Sequence, residues 1–232
     1  MMMTEQSRLA DTDLPLQGFK DLLRLSSGFA DDGAQDPALL GMLRAAVAAI
    51  EGRTGKVLVR RSFLWTVAMW RDLSVVAIPL APVPQIDSVT LVDAAGVQSV
   101  VPSDRYRLEA DLHRPLLRAA GVLLPLIPEG GQAEVRLQAG FGASWSDIPS
   151  DLQHAVLMLA AQYHDQRDGA AMPSAVVALT ERWRAAPSDA PSRPRATQRF
   201  RDGNRVFRIL AVSERDALGR YLICLAQEET GA

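Results

Sequence analysis

One stretch, GFGASWSDIPSDLQHAVLMLAAQYHDQRDG from Gly140 to Gly169, constrains the fold more than any other. Leu152, Ala155, Val156, Leu159 and Tyr163 recur at spacings of three and four, which is one apolar stripe of an α-helix. Pro149 suits the first turn, where its missing N–H costs nothing. Asp147, Ser150 and Asp151 place oxygens and negative charge beside the unpaired N–H groups of that end. Gly169 is a natural stop. The spacing therefore predicts a helix over 149–168. Leu157, Met158, Ala160 and Ala161 widen the stripe, so this helix is expected to be buried on more than one side, as a pillar for the other elements.

The remaining pattern falls around that pillar. Residues 1–13 read as a loose tail. Leu16, Phe19, Leu22 and Leu23 share one face of a predicted helix over 15–25. Asp36-Pro37 opens a second predicted helix, 36–53, with Leu39, Leu40, Leu43, Val47 and Ile50 inward and a stop near Gly52 or Gly55. The period then changes to two. Val57, Val59, Phe63, Trp65, Val67 and Met69 alternate with polar or small residues, the mark of a half-buried strand. Val75–Leu80, a hairpin of Ile86–Val92 with Val97–Val101, a pair Tyr106–Glu109 with Pro115–Arg118, and Gln132–Ala139 complete a β-rich insert over 57–139. A fourth predicted helix, 174–184, carries Val176, Val177, Leu179 and Trp183 for docking on the bundle. Pro187, Pro191 and Pro194 mark 187–203 as a linker, and 204–232 reads as a β-hairpin segment. The fold class expected is α+β: about four helices, a β insert between the second and third, and a C-terminal hairpin.

Composition narrows the function. An apolar fraction of 48% over 232 residues supports a real core, and a net charge of −2 argues against nucleic-acid binding as a bulk property. Cys224 is the sole cysteine, which excludes an internal disulfide and a cysteine-based zinc site. No apolar run approaches the ~20 residues of a membrane span, and the N-terminus lacks the apolar core of a signal peptide.

No motif points to chemistry. Gly140–Ser144 lacks the Lys-Ser/Thr end of a phosphate loop and reads as a structural turn. His154 and His164 face different sides of one helix, and His113 sits in a charged turn, so none is expected to hold a metal or cofactor. Asp31, Asp32 and Asp36 lack calcium-loop spacing. Cys224 reads as a buried small hydrophobe. Glu109 with Asp111, or Asp147 with Asp151, are the carboxylate pairs that a glycan hydrolase would need, but no nucleophile or metal set supports them. The basic run from Pro191 to Arg208, including Arg199 and Arg201, has two open readings: a solvated linker and strand edge, or contact with an acidic partner or passing DNA. Trp65, Trp70 and Trp145 read as core. Trp183, at a helix end beside the linker, reads as an interface anchor.

The order of these elements carries a resemblance. From Phe19 to Trp183 the chain resembles the head–tail connector (adaptor) proteins of long-tailed phages and gene transfer agents. The segments that carry it are AAVAAIEGRTGKVLVRRSF, VAIPLAPVPQIDSVTLVDAAGV, SDRYRLE, RLQAGFG and DIPSDLQHAVLMLAAQYHDQRDG. The C-terminal part, with RVFRILAV, DALGRYL and ICLAQEE, is similar to phage head-closure (stopper or head–tail joining) proteins, which are small β-barrels. The barrel's N-terminal portion is missing and its strand edges are open, so Asn204 to Ala226 is expected to pair with a neighbouring chain or to be poorly ordered alone.

The resemblance implies a non-enzymatic neck subunit of a virion, assembled in a bacterial cytoplasm. It implies a homo-oligomeric, dodecameric ring beneath the portal protein that extends the DNA channel without reading its sequence and docks a stopper or tail-terminator protein. By position it implies partner contacts at Val176, Leu179, Arg182, Trp183, Arg199 and Arg201. A head-closure, tail-completion or other minor virion role is the alternative.

Overall fold

The computed structural model describes residues 2–24, 33–166, 171–184, 196, 198–202, 205–214 and 222–228. The chain divides into two units, Met1–Arg184 and Ala185–Ala232.

The first unit has the expected α+β architecture. Its helices are α1 (Leu16–Leu22), α2 (Asp36–Thr54), α3 (Ser150–Asp165) and α4 (Ser174–Glu181). The stripe on α3 is the buried one, with Leu152, Ala155, Val156, Leu159 and Ala160 all against the core. α2 adds Leu39, Leu43, Ala46, Val47 and Ile50, and α1 adds Phe19, which is fully buried. At about 1.5–3 kcal/mol for each large apolar side chain buried, this cluster outweighs exposed ion pairs such as Arg44–Asp11, worth about 1 kcal/mol or less. α2 stops where Gly55 takes a left-handed φ of 67°. α3 starts one residue later than the spacing predicts. Pro149 occupies the cap position, and Asp147 instead closes a short 3-10 turn at Trp145–Asp147 by accepting from the Ser144 N–H and hydroxyl. The predicted extension of α3 towards 168 runs into 167–170, outside the described residues.

The insert forms two antiparallel sheets. β1 (Met2–Glu5), β2 (Arg61–Val67), β4 (Gln85–Val92), β5 (Gln98–Val101) and β8 (Gln132–Ala139) make one, in the order β1-β2-β8-β4-β5. β3 (Val75–Ala77), β6 (Tyr106–Glu109) and β7 (Leu116–Ala119) make the other, in the order β3-β7-β6. β8 is central. Its Ala133, Val135, Leu137 and Ala139 are fully buried while Arg136 is exposed, the two-residue alternation of a strand with one covered face.

Two expectations fail here. Residues 2–5 are not part of a loose tail: β1 pairs with β2 from Met2↔Thr66 to Glu5↔Phe63, and Ser7 Oγ accepts from the Ser62 N–H. An exposed edge strand needs few apolar residues, so composition gave it no signal. Met69 does not continue the inward face of β2. The strand ends at Val67, the alternation breaks, and Trp70 turns inward to donate to the Pro125 carbonyl at 2.9 Å, leaving Met69 72% exposed.

The GFG stretch is a structural crossing. Gly140 has φ 132°, and a Cβ there would lie 2.5 Å from the Arg60 backbone. A Cβ on Gly142 would meet the Asp147 carboxylate at 2.3 Å. Glycine lets the end of β8 run against 57–60, where Phe141 N–H donates to Leu58 and Arg60 N–H to Gly142.

The second unit contains β9 (Arg199–Asp202), β10 (Arg205–Glu214) and β11 (Leu222–Glu228), in the order β11-β10-β9. The expected hairpin is β10 with β11, bulged between Ile209 and Ala211. β9 lies in the stretch read as linker. Its Arg-Phe-Arg-Asp sequence carries too little apolar character to signal a strand, yet Phe200 stacks on Phe207 at 5.0 Å.

Candidate assembly surfaces

The C-terminal turn of the first unit is fixed by charge as well as by packing. Val176 and Trp183 belong to the core cluster, with Trp183 8% exposed and edge-on to Phe141 at 5.4 Å. The indole Nε1 donates to Asp151 Oδ2 at 2.6 Å, and the Arg182 guanidinium pairs with the same oxygen at 2.7 Å. Burial pushes the Asp151 carboxyl up, but the Trp183 and Arg182 hydrogen bonds outweigh it and hold it below the ordinary carboxylate range. From α2, Arg53 donates to Thr180 Oγ1 at 2.8 Å and to Glu181 at 3.0 Å. α4 is thereby stapled to both α2 and α3.

This arrangement bears out the docking of Val176, Leu179 and Trp183 on the bundle. Val176 and Trp183 face inward, because the helical spacing that groups them with Thr180 also turns all three onto the bundle. Arg182 is exposed, while Leu179 is half-buried and packs against the same core cluster. Asp151 as the acceptor for Trp183 is absent from the sequence reading. The residues are 32 apart, and no local pattern links them.

In the second unit Arg199 lies on β9 and is exposed. Arg201 lies on the same strand, its side chain outside the described residues, as are Arg193 and Arg195. Arg205 is neutralised within the sheet by a two-pronged contact to Glu228 at 2.8 and 2.7 Å. The basic run is therefore less free than its sequence suggests. The sheet also exposes apolar residues: Phe200, Leu210, Ile223 and Leu225 are 43–62% exposed, and Ile209 alone among its described apolar residues is buried. Cys224 is exposed, not buried as expected, because alternation in β11 does not by itself provide a covering layer.

The nominated carboxylates are engaged in local hydrogen bonds and ion pairs. Asp111 accepts from the His113 and Arg114 N–H groups, Asp147 from Ser144, and Asp151 from Trp183, and these bonds hold all three below the ordinary range. Each stays ionised at neutral pH, so none is poised as a general acid. Glu109 pairs with Arg118. Among the described residues no three His, Cys, Asp or Glu side chains gather where a metal ion would be held, and no helix is long and apolar enough to cross a membrane.

Three features escape sequence reading. Glu51, at the end of α2, accepts from the Leu58 N–H at 2.8 Å and from Arg61 at 2.6 Å, and Arg61 also reaches Glu5. This ties the helices to the sheet. Burial pushes the Glu51 carboxyl up despite the Arg61 charge beside it. Second, Lys56 is 1% exposed, and its ammonium has no hydrogen-bond partner among the described residues. Burial pulls its pKa down to about 8, with Asp111 opposing. Third, the loop before β8 exposes Val122, Leu123 and Leu126 by 86%, 48% and 69%. Its Gly and Pro spacing breaks any strand pattern, and exposure of its apolar residues has no local signature.

Comparison with known proteins gives these surfaces their context. The profile of the phage head completion protein family matches residues 153–229, from α3 through β11. A chain in the neck of an empty gene transfer agent (GTA) particle, computed with C6 symmetry, superposes with a TM-score of 0.75 at 51% identity. A chain in the virion of a native GTA particle gives 0.73 at 50%, and one in a native GTA neck computed with C12 symmetry gives 0.70 at 47%. Each match covers 79% of this chain and 95% of the other. No curated protein matches. Identity of this order over nearly the whole of those neck chains, on the α+β framework described above, means that the chain belongs to the family of head–tail neck (connector) proteins of phage-like particles, as virion structural proteins.

Proposed function

We propose that this protein is the adaptor of a phage or gene-transfer-agent neck. Copies form a ring beneath the portal, extend the DNA channel and dock the stopper or tail. The observation that carries this reading is the 51% identity to a chain of a GTA neck across 95% of that chain. The C6 and C12 symmetries of those necks support a closed ring, and a ring needs a head-to-tail interface between copies. A net charge of −2 suits a channel through which DNA must slide without being held. The work is structural, with no turnover.

The second unit is the partner-facing module of this proposal. A three-stranded sheet with one buried apolar residue among those described gains little from its own core, so contact with another subunit is what stabilises it. Leu179 and Arg182 at the end of α4 in the first unit, and separately Arg199 and Arg201 on β9 in the second, are the portal- or stopper-facing candidates. The head completion match over 153–229 favours a second reading, in which the chain closes the filled head itself.

Reconstruction of the particle's neck at side-chain resolution tests both. Density for a ring of this chain between portal and stopper is expected. Density at the tail side of the stopper supports the second reading, and density on the capsid shell refutes both.

A further inference from the structure

The two ends of β8 carry surfaces of opposite shape. At its N-terminal end stands the ridge of Val122, Leu123 and Leu126, apolar and exposed. The ridge is braced from beneath. Leu124 is buried, its N–H donates to the Leu73 carbonyl at 2.6 Å, and Pro125 accepts from Trp70. It is thus pre-formed, and seating it costs little ordering. At the C-terminal end of β8, Gly140 and Phe141 join Pro82, Pro84 and Leu112 around a groove of about 360 Å³.

Charge follows the same division. Glu129, at the foot of the ridge, is exposed and has no partner among the described residues. The groove is bordered by the turn 111–114. There the Asp111 carboxylate is taken up by the backbone N–H groups of His113 and Arg114, while the Arg114 side chain is exposed and without a partner among the described residues. Lys56 lies close enough to feel Asp111 and His113, its ammonium unpartnered. The groove end is short of one anion, and the ridge end offers one.

Eight residues of β8 at about 3.3 Å each hold the two surfaces about 26 Å apart. A central strand, paired on both sides, is a stiff spacer, so no copy can place its own ridge in its own groove. We propose that successive copies dock head to tail, the Val122–Leu126 ridge of one seating in the Pro82–Phe141 groove of the next, with Glu129 of the first copy meeting Arg114 of the second. This rests on the ring reading and names the interface that the ring requires. An interface of this type leaves a free ridge at one end and a free groove at the other until the ring closes.

The test uses the full chain in assembled particles. A variant with Leu126→Cys and Leu112→Cys in a Cys224→Ser background is treated with a short bismaleimide and run under denaturing conditions. A ladder of dimers, trimers and higher multimers is expected, with each single-cysteine control staying monomeric. In parallel, Glu129→Arg is expected to reduce the amount of the chain in purified necks at least tenfold, and adding Arg114→Glu to restore it. Absence of the ladder and of charge-swap rescue, while reconstruction still shows a ring of this chain in the neck, overturns the ridge-and-groove assignment alone. Absence of the chain from any neck ring overturns the ring reading with it. A product that stops at dimers indicates a two-fold contact and also overturns the assignment.

Discussion

Replacing Lys56 by methionine should stabilise the isolated subunit, and the gain should vanish in alkali. The ammonium is 1% exposed, lacks a hydrogen-bond partner among the described residues, and has its pKa pulled from the ordinary 10.5 to about 8. At about 1.4 kcal/mol for each pH unit, that displacement amounts to about 3 kcal/mol against the folded state at pH 7. Below pH 8 the lysine is protonated both folded and unfolded, and the full penalty acts. Between about 8 and 10.5 the folded state releases its proton before the unfolded state does, so stability rises with pH. Methionine fills similar volume without the charge. Urea denaturation followed by tryptophan fluorescence is the assay, since Trp65, Trp70, Trp145 and Trp183 all lie in the first unit. The difference between variant and wild type should be about 3 kcal/mol larger at pH 7 than at pH 11. Taking the difference cancels other titrating groups except His113 and Asp111, which feel Lys56 directly. A difference that stays flat from pH 7 to 11 would refute a buried, unpaired ammonium.

Other substitutions test the remaining contacts. Trp183→Ala removes the ring that packs on Phe141 and leaves Asp151 short of a donor, and should cost about 3–5 kcal/mol by urea denaturation. Asp151→Asn should destabilise at neutral pH and lose its effect in acid, because the depressed carboxyl of Asp151 stabilises the fold above the unfolded carboxylate pKa and no longer does so once pH falls through the folded value. A flat difference between pH 7 and pH 2 would contradict this. Gly140→Ala should cost at least about 2 kcal/mol, since its Cβ would press on the Arg60 backbone. Gly41→Ala, in the interior of α2 with open space around it, should raise stability by about 1 kcal/mol in the same assay.

What could be read from sequence follows periodicity. Leu152 to Tyr163 and Leu39 to Ile50 each repeat at the helical period, and both burial patterns were legible, while Gln132–Ala139 was legible as a strand without its buried face. Met2–Glu5 and Arg199–Asp202 were not, because short exposed strands are selected by a neighbour's open edge and not by their own composition. At α4 the shared face of Val176 and Trp183 made docking on the bundle legible, whereas spacing carries no signal for which residues meet a partner. The exposed ridge at Val122–Leu126 had no signature, since apolar residues without periodicity read equally as core or loop.

The alternation along β8 also limits how such a subunit can change size. With Ala133, Val135, Leu137 and Ala139 inward, inserting one residue would turn every following side chain to the opposite face. Inserting two preserves the faces and lengthens the strand by about 7 Å, provided that β2 and β4 lengthen alongside. The dimension of the subunit along this strand is therefore quantised. Relatives with a wider or narrower subunit should differ there by even numbers of residues.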